Sequence, residues 1–138
     1  MSNFDLLDAA ETLSIKNFRE VFMRDQLPNT PNSVETGIIN LDKNSGPCTH
    51  WVAYAIDPRG IVYFDSYGLA LPNEFLKYVS NMQNIPIWYS ILPTQTITDP
   101  PICGCEVIAV LNAVSRSLMP PHKVVQEYIS LSNVLNRS

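Results

Sequence analysis

The sequence predicts an α+β fold: a small, mainly antiparallel sheet flanked by helices, with a central helix that opens on a cysteine. Three observations lead there. Two segments rich in aromatic and β-branched residues, 50–56 and 61–67, are separated by Asp57-Pro58-Arg59-Gly60, a sequence suited to a tight turn. An apolar stripe with helical spacing, Val107, Val110, Leu111, Val114 and Leu118, follows the Pro100-Pro101 break. Helical patterns stand before and after the strand patterns instead of alternating with them, which favours α+β over α/β.

In chain order, Asp5–Leu13 predicts a short helix with Leu6, Leu7, Ala10 and Leu13 on one face and Ser2 or Asn3 as cap. A second short element spans Phe18–Met23 and stops at Leu27-Pro28. Pro28–Thr36, rich in Pro, Asn and Ser, is a loop, and Ile38–Leu41 is a short buried strand. Asp42–Pro47 is a turn-rich loop leading to the hairpin. Asn73–Met82 is an amphipathic helix with Phe75, Leu76, Val79 and Met82 inward, and Ile85–Leu92 is a further strand. Cys103–Leu118 is the core helix; Pro120-Pro121 ends it, and Val124–Leu135 is the last helix.

With 138 residues the chain has room for one domain, 1–138, and a single core. A hydrophobic fraction of 46% against 16% charged residues excludes disorder. No apolar run reaches the roughly 18 residues of a membrane span. Met1–Ala10 lacks a basic start followed by an apolar block, so a soluble intracellular chain without a secretory signal is expected. Net charge is −4 and the basic residues are scattered, so DNA binding is not expected. Cys48, Cys103 and Cys105 cannot all pair, and two of them are too close in sequence to bridge, which points to reduced thiols. There is no second cysteine pair and no histidine cluster, so neither a structural zinc nor a cofactor is implied.

The chemistry lies in three residues. If Asp57 pairs with Gly60, His50 opposes Tyr67 and Asp65 opposes Val52, which places His50 and Asp65 diagonally on one face with Cβ atoms about 7 Å apart. A bulge at Gly60 would move the register by one residue and send them to opposite faces. Asp65 in an apolar strand needs a partner, and His50 is the best one offered. A cysteine at a helix N-terminus has its thiolate stabilised by unpaired amides and the helix dipole, and a neighbouring imidazolium adds to this. Gly104 would let a substrate carbonyl approach, with the Cys103 amide and Gln95 as oxyanion donors. A lone cysteine on an apolar helix is ordinarily a small core residue, and a lone histidine beside tryptophan ordinarily structural; in this order they assemble a nucleophile, its base and the group that orients the base. His122, after Pro120-Pro121, is a rival base whose plain reading is a surface residue at a helix start, and Tyr63, Phe64 and Tyr67 are assigned to the core.

Gly46-Pro47-Cys48-Thr49-His50-Trp51-Val52-Ala53-Tyr54, Tyr63-Phe64-Asp65-Ser66-Tyr67-Gly68, Gln95 and Cys103-Gly104 together resemble the adenovirus-type cysteine proteases, in particular the short forms in Maverick/Polinton elements and related DNA viruses. Phe22–Pro28 and Gly37–Asp42 are similar to that group as well, and Cys48 stands where it commonly has glycine. The resemblance implies the adenain fold shared with SUMO-specific proteases, with His50 as general base, Asp65 orienting it, Cys103 as nucleophile and Gln95 in the oxyanion hole. Trp51 and Gly104 are implied to line a narrow substrate slot. The implied activity is processing of viral capsid or core precursors at glycine-containing sites by a monomer, with protein or peptide substrates, an activating peptide among the partners, and the host cell, nucleus and virion as compartments. Two rivals remain at this point: a protease that removes a ubiquitin-like modifier, and a non-catalytic capsid assembly protein that keeps the fold.

Overall fold

Asp57 and Gly60 do pair, and this closes a two-residue hairpin turn around Pro58 and Arg59. Asp57 Oδ1 accepts from the Arg59 amide at 2.8 Å while the Arg59 guanidinium reaches Oδ2 at 2.7 Å, so the turn is held by its own side chains. The computed structural model describes residues 1–42, 50–82, 84–94 and 103–136, with the backbone alone at Cys103 and Asn136. The hairpin strands are β3 (Trp51–Asp57) and β4 (Gly60–Phe64). They are the centre and its neighbour in a five-stranded sheet completed by β1 (Phe18–Met23), β2 (Glu35–Asn40) and β5 (Ile87–Tyr89), in spatial order β1-β2-β3-β4-β5. The expected antiparallel pairings join β2, β3 and β4; β1 and β5 join at the two edges in parallel, so the sheet is mixed.

Alternation along the strands sends neighbouring residues to opposite faces. Ile38, Trp51, Ala53, Ala55, Val62 and Phe64 pack under the helices α1 (Asn3–Thr12), α3 (Cys103–Arg116) and α4 (Pro121–Asn136). Ile39, Val52, Tyr54, Ile56, Ile61 and Tyr63 pack on the other face with α2 (Asn73–Tyr78) and Val79. β3 and β4 are buried along their whole length because helices cover both faces.

Ser2 caps α1 with a reciprocal pair: its hydroxyl accepts from the Asp5 amide, and its own amide donates to the Asp5 carboxylate at 2.7 Å. The short element at 18–23 is the strand β1, seated by a buried carboxylate. Glu35, at the start of β2, accepts from the hydroxyls of Tyr54 and Tyr78, the Asn32 amide and the Arg19 guanidinium. Burial and the bond to Glu35 push the Tyr78 hydroxyl up to about 12.

Three expectations change. Leu76 is exposed at 43%; after Phe75 the helix turns its i+3 and i+4 residues, Tyr78 and Val79, inward instead. Leu118 is 96% exposed because α3 ends at Arg116 and Leu118 lies in the turn beyond it. The strand expected over 85–92 is only Ile87–Tyr89, and all three of its residues are exposed. Its apolar character made it resemble a buried strand, but an edge position decides its exposure. No helix among the described residues is long and apolar enough to cross a membrane.

Candidate active site

His50 and Asp65 sit one residue beyond the strand ends, His50 before β3 and Asp65 after β4. The Asp57–Gly60 register, carried along the hairpin, gives the two side chains the same parity and brings them to one face at one end of the sheet. There His50 Nε2 is 2.8 Å from Asp65 Oδ1. The same oxygen accepts from the Tyr67 amide at 2.8 Å. The Asp65 side chain is 1% exposed and that of His50 16%, so the carboxylate is shielded and the ring keeps an edge toward solvent. Donation from Nε2 to the carboxylate makes Nδ1 the basic nitrogen of the neutral ring. The ring plane is set from a second direction by Tyr67, stacked on it at a centroid distance of 4.4 Å. The backbone is held as well: the His50 carbonyl accepts from the Leu41 amide at 2.8 Å.

The mouth of α3 lies against the next residue of β3. A Cβ placed on Gly104 would be 3.2 Å from Cε3 and Cζ3 of Trp51 and would meet the Met1 sulfur. Trp51 itself is fixed: its indole N–H donates to Asn3 Oδ1 at 2.8 Å, and the same oxygen accepts from the Asn40 side chain at 3.1 Å. The residue that follows His50 and the residue that follows Cys103 are therefore in contact.

Behind that mouth is a second polar group. Glu106, in the first turn of α3, accepts from the Thr94 hydroxyl at 2.9 Å and from the Tyr128 hydroxyl at 3.2 Å. Its burial disfavours the ionised form and pushes its carboxyl above the usual range, against the pull of those two donors. Thr94 also donates its amide to the Ser66 carbonyl at 2.8 Å. Tyr128 is pushed up by burial first and by the Glu106 charge second.

No protein-family profile matches the chain, and no curated protein matches it. Among solved structures it is similar to the selenomethionine form of the ASFV pS273R protease, at 21% identity and a TM-score of 0.38, over 72% of this chain and 44% of that one. The chain spans less than half the length of that protein. So low a score leaves the fold to be read from the sheet and helices themselves.

Of the residues selected from the sequence, His50, Asp65, Trp51 and Gly104 gather at one end of the hairpin. Trp51 and Gly104, expected to line a slot, are both buried and touch each other. Cys103 opens α3 beside them; its side chain lies outside the described atoms. Gln95 and Cys48 lie outside the described residues. His122 is elsewhere, stacked on Trp88 at 4.4 Å, in the wall of a groove between β5 and α4 that includes neither His50 nor Asp65. Cys105 is an exposed free thiol. Among the described residues no three His, Cys, Asp or Glu side chains cluster as metal ligands. Tyr67, expected in the core, is only partly buried and stacks on His50, the residue that the hairpin register places opposite it. The bonds of Asn3 to Trp51 and of Glu106 to Thr94 and Tyr128 carried no sequence signal, because the partners are remote in sequence.

Proposed function

We propose that the chain is a cysteine endopeptidase in which Cys103 is the nucleophile, His50 its general base and Asp65 the group that orients the base. One observation carries the reading: a shielded carboxylate holds an imidazole at 2.8 Å, next to a tryptophan that lies against the glycine following Cys103. His50 Nδ1 takes the thiol proton, and the thiolate attacks the scissile carbonyl. The Cys103 amide and Gln95 hold the oxyanion at the helix mouth, where unpaired amides favour negative charge. Collapse breaks the peptide C–N bond, and the imidazolium gives its proton to the departing amine. Water, deprotonated by His50, then attacks the thioester, restoring the thiol and freeing a carboxylic acid.

Trp51 and Gly104 pack so closely at the helix mouth that a methyl on Gly104 would press on the indole. The resemblance drawn from the sequence motifs favours glycine-containing sites in capsid or core precursors as substrates.

The test is thiol labelling and precursor cleavage. Cys103→Ala and His50→Ala abolish both His50-dependent alkylation by iodoacetamide and the appearance of new termini in mass spectra of precursor digests. Asp65→Asn lowers turnover by about 10²- to 10⁴-fold, since the imidazole loses its orienting acceptor. Cys105→Ala, Cys48→Ala and His122→Ala keep most of the activity. A dead Cys105→Ala beside an active Cys103→Ala overturns the assignment.

A further inference from the structure

Glu106 is buried three residues into the helix that Cys103 opens, and the reaction sketched above makes no use of it. Its carboxyl is the node of a chain of hydrogen bonds. One oxygen takes the Tyr128 hydroxyl of α4 and the other the Thr94 hydroxyl, while the Thr94 amide reaches back to the carbonyl of Ser66. Ser66 follows Asp65, and Thr94 immediately precedes Gln95. Thr94 and Ser66 are both buried, so the chain runs through the interior and not along the surface. It joins the helix of the nucleophile, the turn of the orienting carboxylate and the last residue before the candidate oxyanion donor.

We propose that Glu106 is a positioning residue which holds Thr94, the residue before Gln95, to the first turn of α3 and thereby sets the oxyanion donors relative to Cys103; the inference rests on the cysteine peptidase reading. Burial disfavours the charged form of Glu106, which limits the repulsion that a second anion one turn from the sulfur would exert on a thiolate. A carboxyl also suits the geometry, since each of its two oxygens receives one hydroxyl.

Two probes separate positioning of the oxyanion donors from assembly of the thiol and imidazole. Acylation by p-nitrophenyl acetate passes through a tetrahedral oxyanion: the sulfur bonds to the acetyl carbon, and nitrophenolate leaves with the electron pair. Alkylation by iodoacetamide displaces iodide at a saturated carbon and forms no oxyanion. In the full chain, Thr94→Val and Glu106→Ala are expected to slow acylation about 100-fold while alkylation changes by less than roughly two-fold. Thr94→Ser and Glu106→Gln, which keep hydrogen-bonding groups in place, restore acylation to within about ten-fold of wild type. Adding Gln95→Ala to Thr94→Val brings no further loss, because both act on one donor. Thr94→Val, nearly isosteric, decides the matter even if Glu106→Ala unfolds.

If acylation and alkylation fall together, or Thr94→Val matches wild type in both, the positioning role is overturned while the peptidase reading stands. If wild-type Cys103 lacks His50-dependent alkylation, the peptidase reading fails and takes this inference with it.

Discussion

A methyl group at Gly104 would press on the Trp51 ring at 3.2 Å, and Trp51 cannot swing aside without losing its bond to Asn3. The Met1 side chain, which such a methyl would also meet, is exposed and yields easily. Gly104→Ala is therefore expected to destabilise the fold by about 1 kcal/mol, as mild overpacking does, measured by urea unfolding. Glu106 carries a different signature. Its folded carboxyl is raised above the ordinary value, so the folded state holds the proton more tightly than the unfolded chain does. The stability this contributes is fully present below the unfolded carboxyl value and is lost as pH rises through the raised folded one. Thermal unfolding of Glu106→Gln followed across acid to neutral pH should show a shallower fall in Tm with rising pH than wild type; an equal or steeper fall contradicts the shift.

The hairpin decides the site at the next scale. Because side chains alternate, one inserted residue moves every β4 side chain to the opposite face of the sheet. A glycine inserted between Arg59 and Gly60 is expected to separate Asp65 from His50, or else to be absorbed as a bulge at the turn. Imidazole NMR distinguishes the two: loss of the downfield Nε2 proton, together with loss of His50-dependent alkylation, marks the shift, whereas loss of that signal with alkylation retained would show that the Asp65 pairing does not underlie reactivity. The same logic explains why the hairpin was legible. The turn residues allowed either register, and the need of Asp65 for a partner favoured the one in which Asp57 pairs with Gly60, as it does. The strand β5 was legible only as an apolar run. Nothing in Ile87-Trp88-Tyr89 indicates that it pairs in parallel with β4 at an edge, since that depends on where the chain returns after α2.

Across the whole molecule, the sheet divides the interior into two cores, one under α1, α3 and α4 and one under α2. Ile38 belongs to the first and Ile61 to the second. Ile38→Val and Ile61→Val should each cost about 1 kcal/mol, and the double variant the sum to within about 0.5 kcal/mol, in a single cooperative transition by chemical denaturation. Two separate transitions would show that the cores melt independently. The sequence by itself determined the central hairpin and the apolar face of α3 and pointed to the pairing of His50 with Asp65, because each follows from short-range periodicity or from the cost of burying one charge alone. Only the tertiary structure decided that Asn3 holds Trp51, that Glu35 gathers two tyrosines and an arginine, and that Glu106 ties Thr94 to α4. Those contacts join residues from 12 to 48 positions apart, and which remote polar groups meet is set by how the helices close over the sheet, a property that no local spacing encodes.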